Sequence, residues 1–352
     1  RDRAENCPHA MSASATHDTK RGEDARARLN VLSEIPREWR TRVKVWQLMN
    51  QDKKTSVKGR MFPDKNDEYF LYQSVIGGYP FAESERDGFI GRLKEYMIKA
   101  VREAKRHTAW ISPDEPYETA CLDFIDRIFD ERKNRAFVKD FCGFQRKIAD
   151  YGIYNSLAQT VLKLTAPGVP DFYQGTEDWD LSFVDPDNRR PVDFPLRSAR
   201  LEEAGRRVEE DLDAWLRELL DTKVDGRIKQ FVIWRILQFR KTNDILFREG
   251  MYVPLKVAGR LAEHALAFAR QRGDQCCVVV VPRFLTGLVN STRTPIGKVW
   301  SGTDILLPRA LRHANWRQII SGKALGVVTK SLVLEDVFRE FPVAVIEGRL
   351  ES

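Results

Sequence analysis

Two clusters of polar residues, each directly after a short apolar stretch, carry the side chains best suited to chemistry. The first is Thr16-His17-Asp18-Thr19-Lys20-Arg21-Gly22-Glu23-Asp24. The second is Gln174-Gly175-Thr176-Glu177, followed by Asp185-Pro186-Asp187-Asn188-Arg189-Arg190. An adjacent histidine and aspartate offer a donor and a carboxylate that can grip neighbouring hydroxyls of a sugar, and the carboxylate favours the positive charge of an oxocarbenium-like transition state. Taken alone, a His-Asp pair is more often a local hydrogen bond or a helix cap, and the run at 185–190 equally suits turns and surface ion pairs. The sequence contains no G-x-x-x-x-G-K-[ST], G-x-G-x-x-G, H-E-x-x-H or G-x-S-x-G, so phosphate-loop, zinc-protease and serine-hydrolase chemistry lose support. No ligand spacing suggests a metal, nucleotide or redox cofactor, and none is expected.

Composition sets the frame for these clusters. A chain of 352 residues is long enough for two or three domains with a sizeable core. Hydrophobic residues at 42%, charged residues at 31% and a mean hydropathy of -0.45 describe a soluble globular protein. The longest apolar stretch, Cys276 to Pro282, falls far short of the ~20 residues of a membrane helix, and the first residues lack a signal pattern; a cytoplasmic protein is expected. The net charge of +7 comes from interleaved signs, which favours a solvated surface over nucleic-acid or membrane binding. The five cysteines form no C-x-x-C pair and are expected to be reduced and buried. The first residue is Arg1 rather than Met, and the chain is expected to begin inside a longer protein.

The elements that position the clusters follow from periodicity. Residues 11–18 read as a short small-residue strand entering a loop, and Glu23 to Ser33 as a helix. From about 36 to 150 the pattern is helical. Phe89, Leu93, Met97, Ala100, Val101 and Ala104 mark one face of a helix capped by Ser84 and Asp87. Ser112 with Pro113, Asp114 and Glu115 starts another, carrying Tyr117, Cys121, Phe124 and Ile128 inward. Phe137, Phe141, Phe144, Ile148 and Tyr151 then draw an aromatic stripe, read as core. Asn155 to Thr165 reads as a further helix, and Val169 to Tyr173 as a short buried strand before the second polar cluster. Helices near 198–221 and 226–243 follow, the second apolar on most sides. Beyond Gly250 the period changes to two, with a hairpin through Arg272-Gly273-Asp274 and strands near 299, 319, 332 and 343–346.

Together and in this order, four segments closely resemble the maltooligosyltrehalose synthase family of the α-amylase clan. They are Ala15-Thr16-His17-Asp18-Thr19-Lys20-Arg21-Gly22-Glu23-Asp24-Ala25-Arg26-Ala27-Arg28, Asn155-Ser156-Leu157-Ala158-Gln159, Ala166-Pro167-Gly168-Val169-Pro170-Asp171-Phe172-Tyr173-Gln174-Gly175-Thr176-Glu177, and Val184-Asp185-Pro186-Asp187-Asn188-Arg189-Arg190-Pro191-Val192-Asp193. The resemblance spans most of the chain and is least distinctive in its last hundred residues. It implies an α/β fold: the C-terminal part of a (β/α)8 TIM barrel with a large α-helical insertion, followed by an all-β sandwich. Residues 1–35 would hold strand seven, ended by His17 and Asp18. Residues 36–150 would be the insertion, 151–249 the end of the barrel with strand eight at 169–173, and 250–352 the sandwich.

The same resemblance implies a glucosylmutase, an isomerase that converts the reducing-end α-1,4 bond of maltooligosaccharides into an α,α-1,1 bond by retaining intramolecular transglycosylation. Asp18 would be its third catalytic carboxylate. His17, Lys20, Arg21, Tyr173, Gln174, Glu177, Asp187 and Arg189 would bind substrate, with no metal. The family's nucleophilic aspartate and acid/base glutamate precede anything present here, so the chain is expected to be a C-terminal half, inactive alone, whose parent acts in sequence with a trehalose-releasing hydrolase. Tyr69, Phe70, Tyr72, Tyr79 and Phe81 either pack the insertion's own core, the favoured reading, or partly roof the subsite. The alternatives are another α-glucan hydrolase or transglycosylase of the clan, or a non-catalytic carbohydrate-binding protein.

Overall fold

The computed structural model describes residues 2–312 and 314–350. Along the chain come α1 (Asp2–Asn6), β1 (Met11–Ala13), α2 (Glu23–Leu32), α3 (Pro36–Met49), β2 (Thr55–Val57), β3 (Arg60–Phe62), α4 (Lys65–Gly78), α5 (Arg86–Ala104), α6 (Glu115–Phe129) and α7 (Glu131–Thr165). Then follow β4 (Val169–Asp171), α8 (Phe194–Asp221), α9 (Arg227–Thr242), α10 (Asp244–Glu249) and β5 (Met251–Gly259). The remainder is β6 (Ala265–Arg272), β7 (Gln275–Pro282), β8 (Thr303–Leu306), β9 (Asn315–Gln318), β10 (Ala324–Val327), β11 (Ser331–Val333), α11 (Leu334–Val337) and β12 (Ala344–Arg349). They divide into two compact units: Arg1–Thr16 with Ile153–Asp180 and Pro191–Ser352, and His17–Gly152 with Leu181–Arg190.

The second of these units is mainly helical, but β2 and β3 pair antiparallel within the stretch 36–150 that was expected to be helical. Its α4 is capped by Asp64, whose carboxylate accepts the N–H groups of Asn66 and Asp67, and α6 by Asp114, which accepts from Tyr117. Asp114 therefore replaces the expected Ser112, because the proline that enters the helix is Pro116 in its first turn. The expected Ser84–Asp87 box does not form: residues 83–85 make a 3-10 turn and α5 starts without a side-chain cap. The aromatic stripe is core as expected, with Phe137, Phe141, Phe144, Ile148 and Tyr151 all buried. Trp46 sits at its centre, edge-on to Phe137, Phe141 and Phe144 at 5.6 to 6.0 Å. Residues 155–165, expected as a separate helix, continue α7 without a break; its one distortion is at Asn134, whose amide donates to Asn50 and to the Ile128 carbonyl.

In the first unit, β1 and β4 pair in parallel, Met11 with Val169, Ser12 with Pro170 and Ala13 with Asp171. Both strands are shorter than read from sequence, and Val169, expected buried, is 48% exposed. His17 and Asp18 consequently lie in a turn beyond β1 rather than at its end. Helix α9 is buried along Ile228, Phe231, Val232, Ile236 and Phe239.

The last eight strands form one antiparallel sheet in the order β10-β9-β12-β7-β6-β5-β8-β11. The expected hairpin is present, β6 and β7 joined at Gly273-Asp274 with Gly273 at φ 59°. Near 299 the chain instead makes a 3-10 turn, Gly297–Trp300, and the strand begins at Thr303; β5 and β10 were not legible in the pattern. Met251 to Leu255 of β5 pair with β6, whereas Lys256 to Gly259 pair with β8, so the sheet changes partner within one strand. Residues from both segments share one core around Val278, Ile305, Trp300, Trp316 and Ile346, which curls the sheet over that cluster. β7 is buried on both sides, with Cys276, Val278 and Val280 in the cluster and Cys277, Val279 and Val281 equally buried on the alternate face.

Candidate functional site

The turn that carries His17 and Asp18 is followed by Lys20, Arg21 and the start of α2. His17 Nε2 and Asp18 Oδ2 lie 3.2 Å apart, and both side chains face solvent, that of Asp18 86% exposed. A histidine and a carboxylate so placed can share adjacent hydroxyls of a ligand at little desolvation cost. Arg21 turns the other way. Its guanidinium donates to the Ser74 hydroxyl at 3.1 Å and lies over the Phe70 ring at 5.1 Å, which fastens the turn to α4.

Segment 181–190 completes this cluster within the same unit. Arg21 and Phe183 form an antiparallel bridge, and the Gly22 N–H donates to the Ser182 carbonyl at 2.8 Å. Asn188 Nδ2 donates to the His17 carbonyl at 2.9 Å, joining the two polar motifs directly. Asp187, expected to meet a ligand, has its carboxylate engaged by Arg92 at 2.9 Å, Arg190 at 2.8 Å and the Phe183 N–H at 2.7 Å. It thereby anchors the 3-10 turn Asp187–Arg189. Arg189 is half-exposed and pairs with Asp185 at 2.8 Å; Lys20, also exposed, pairs with Glu103 at 3.2 Å.

Tyr173, Gln174 and Glu177 belong to the other unit. There the Tyr173 carbonyl accepts from the Thr176 N–H and hydroxyl, closing a turn around Gly175 at φ 83°, a conformation that favours glycine. Arg197 donates to the Gly175 carbonyl at 3.1 Å and lies 3.5 Å from Glu177, while Gln174 is exposed. Of the rings named for a roof, Tyr72 and Tyr79 are buried in the helical core, Phe70 supports Arg21 and Phe81 lies under Arg28. Tyr69 remains at the surface, bonded to Trp39.

Sequence reasoning missed the polar contributors on α5. Arg92, Lys99 and Glu103 belong to no motif, although their spacing puts them on one side of the helix. A metal-like grouping, also missed, is Asp64, Asp67 and His107, whose ligand atoms lie within 4.8 Å of one another. Each has a protein partner: Asp64 caps α4 and accepts from His107 at 2.9 Å, and Asp67 accepts the Tyr117 hydroxyl. We read the trio as a structural hydrogen-bond network. No helix among the described residues is long and apolar enough to cross a membrane.

No protein-family model matches the chain. Its fold is nevertheless one that solved enzymes share over nearly all of its length. It is found in maltooligosyltrehalose synthase from Arthrobacter ramosus, at 30% identity and a TM-score of 0.75 over 99% of this chain and 40% of that one. It is found again in a Sulfolobus tokodaii protein described as a hypothetical maltooligosyl trehalose synthase, at 32% identity and a TM-score of 0.66 over 95% of this chain and 38% of that one. A Mycobacterium tuberculosis protein bearing the name maltooligosyl trehalose synthase is 32% identical over 344 residues, 98% of this chain and 38% of the relative. The resemblance carried by the motifs is thus borne out: the chain matches the C-terminal part of maltooligosyltrehalose synthases and spans about two fifths of their length.

Proposed function

We propose that this chain is the portion of a maltooligosyltrehalose synthase that holds the glucose being rearranged at the reducing end of a maltooligosaccharide. The observation that carries the reading is the Asn188–His17 bond, which joins the two family motifs and leaves the His17–Asp18 pair open to solvent. In this reading Asp18 is the third carboxylate, holding hydroxyls of the reacting ring and favouring its developing positive charge, and His17 binds the same ring. Lys20 and Arg189 add donors from exposed ion pairs that a ligand hydroxyl can replace at small cost. Asp187 and Arg21, engaged by protein partners, hold the loops that carry these groups.

The proposal extends to architecture and reaction. The parallel pair β1–β4 would be strands seven and eight of a barrel, residues 36–150 an insertion and residues 250–352 a sandwich. The whole protein, a cytoplasmic glucosylmutase acting before a trehalose-releasing hydrolase, would use an aspartate and a glutamate supplied upstream. A retaining mechanism requires those two carboxyl groups ~5 to 5.5 Å apart. The 352 residues alone are therefore expected to bind maltopentaose and to form no non-reducing product from it. Titration with maltopentaose, followed by product analysis, tests this. Weakening of binding by about tenfold in His17→Ala and Asp18→Asn supports the site. Undiminished binding in both variants removes it, and trehalosyl ends formed by the chain alone remove the division of labour. Free reducing sugars from the full-length protein favour a hydrolase of the same clan.

A further inference from the structure

Four residues of α5, Arg92, Tyr96, Lys99 and Glu103, follow one another at steps of four, three and four and so share a face. Each of them reaches one of the two motif segments. Arg92 Nη1 lies 2.9 Å from Asp187 Oδ2, and the Tyr96 ring stacks on Phe183 with centroids 4.4 Å and planes 8° apart. Lys99 Nζ donates to the Asp185 carbonyl at 2.6 Å, and Glu103 takes the Lys20 amine at 3.2 Å. The Asn188–His17 bond closes the circuit between the two segments.

The links differ in strength. The Asp187 carboxylate is only 9% exposed and Arg92 20%, so removing the guanidinium leaves a buried charge short of a partner. The Lys20–Glu103 pair is 64% and 40% exposed and contributes little. One contact is a fixed strut and the other an exchangeable latch.

We infer that Arg92 is a positioning residue of the sugar site: through Asp187 it fixes the turn at 187–189, and with it Asn188 against His17, while Lys20 stays free to leave Glu103 for a ligand. This rests on the sugar-site reading above and adds to it a dependence on a helix that touches no sugar. Arg92 would act on binding without contacting the ligand, and what it supplies is a directed positive charge, so lysine should substitute in part.

The test compares Arg92→Met, Arg92→Lys and His17→Ala by titration with maltopentaose and by amide hydrogen exchange at Phe183, which donates to Asp187, and at Gly22, which donates to Ser182. Arg92→Met is expected to weaken binding about tenfold and to speed exchange at both amides, with Arg92→Lys recovering most of each. If Arg92→Met retains full affinity and slow exchange while His17→Ala loses affinity, the strut is disproved and the sugar site survives. If affinity falls in Arg92→Met with no recovery in Arg92→Lys, positioning by charge is equally disproved. An unaltered protein that does not bind maltopentaose overturns the sugar site and this inference with it. Should Arg92→Met not fold, Asp187→Asn is read by the same two measurements, with faster exchange and weaker binding expected.

Discussion

Arg28 shows how single positions hold the site's base in place. It lies on α2, 11 residues beyond His17, and its guanidinium is buried, donating to the carbonyls of Gly77 at 3.1 Å and Tyr79 at 2.5 Å and lying 4.4 Å over Phe81. Burial pushes its pKa down to about 9, and the neighbouring charges of Asp24 and Asp150 oppose that fall. The side chain fits only because position 152 on α7 is glycine, where an added Cβ would come within 2.5 Å of Arg28 Cγ and 3.2 Å of its Cα. In a helix interior, Gly→Ala ordinarily gains up to ~1 kcal/mol, whereas overpacking a filled core costs roughly 1–3 kcal/mol. The clash should win: Gly152→Ala is expected to lower stability by about 1–2 kcal/mol in urea unfolding, and a stabilised variant would contradict the packing described here.

Among the elements, α5 and α6 are locked by a charge that reports on acid. Arg102 grips Glu118 with two hydrogen bonds, 2.8 and 2.6 Å, and the Thr108 hydroxyl adds a third at 2.6 Å. The bonds from Arg102 hold the Glu118 carboxyl below its ordinary value, against the opposing effect of burial. A carboxylate whose folded pKa lies below its unfolded value of ~4.3 contributes stability that is present above that value and fades as pH falls through the folded one. Glu118→Gln is expected to cost about 2 kcal/mol at pH 7 and progressively less below about pH 4, as read from unfolding midpoints. A difference that stays constant down to pH 3 would show that the charge does not matter. The elements themselves were legible where apolar spacing was regular, as in α5, α6 and the β6–β7 hairpin, but not all of their boundaries. The boundaries were not legible where a cap had to be chosen among Ser112, Asp114 and Ser84, because capping depends on which carboxylate the backbone brings to the exposed N–H groups.

At the scale of the whole molecule, the cysteines separate surface from core. Cys121, Cys276 and Cys277 are pushed up to about 12 by burial, and burial also raises the partly covered Cys142. Cys7, expected to be buried, is exposed. Native protein treated with iodoacetamide at pH 8 should therefore carry its first adduct at Cys7, with Cys276 and Cys277 modified only on unfolding, as peptide mass spectrometry will show. Early labelling of Cys277 would mean that the sheet opens locally, against its burial within β7.

By itself the sequence determined the family likeness, the amphipathic helices, the aromatic core and the hairpin, because these depend on residue type at fixed local spacing. It also singled out His17 and Asp18, whose chemistry is intrinsic to the pair. The tertiary structure alone decided that Asp187 and Arg21 are bonded to protein side chains, that Asn188 joins the two motifs across 171 residues, and that α5 reaches both. Those assignments turn on which donors meet across long stretches of chain, and local periodicity carries no record of that.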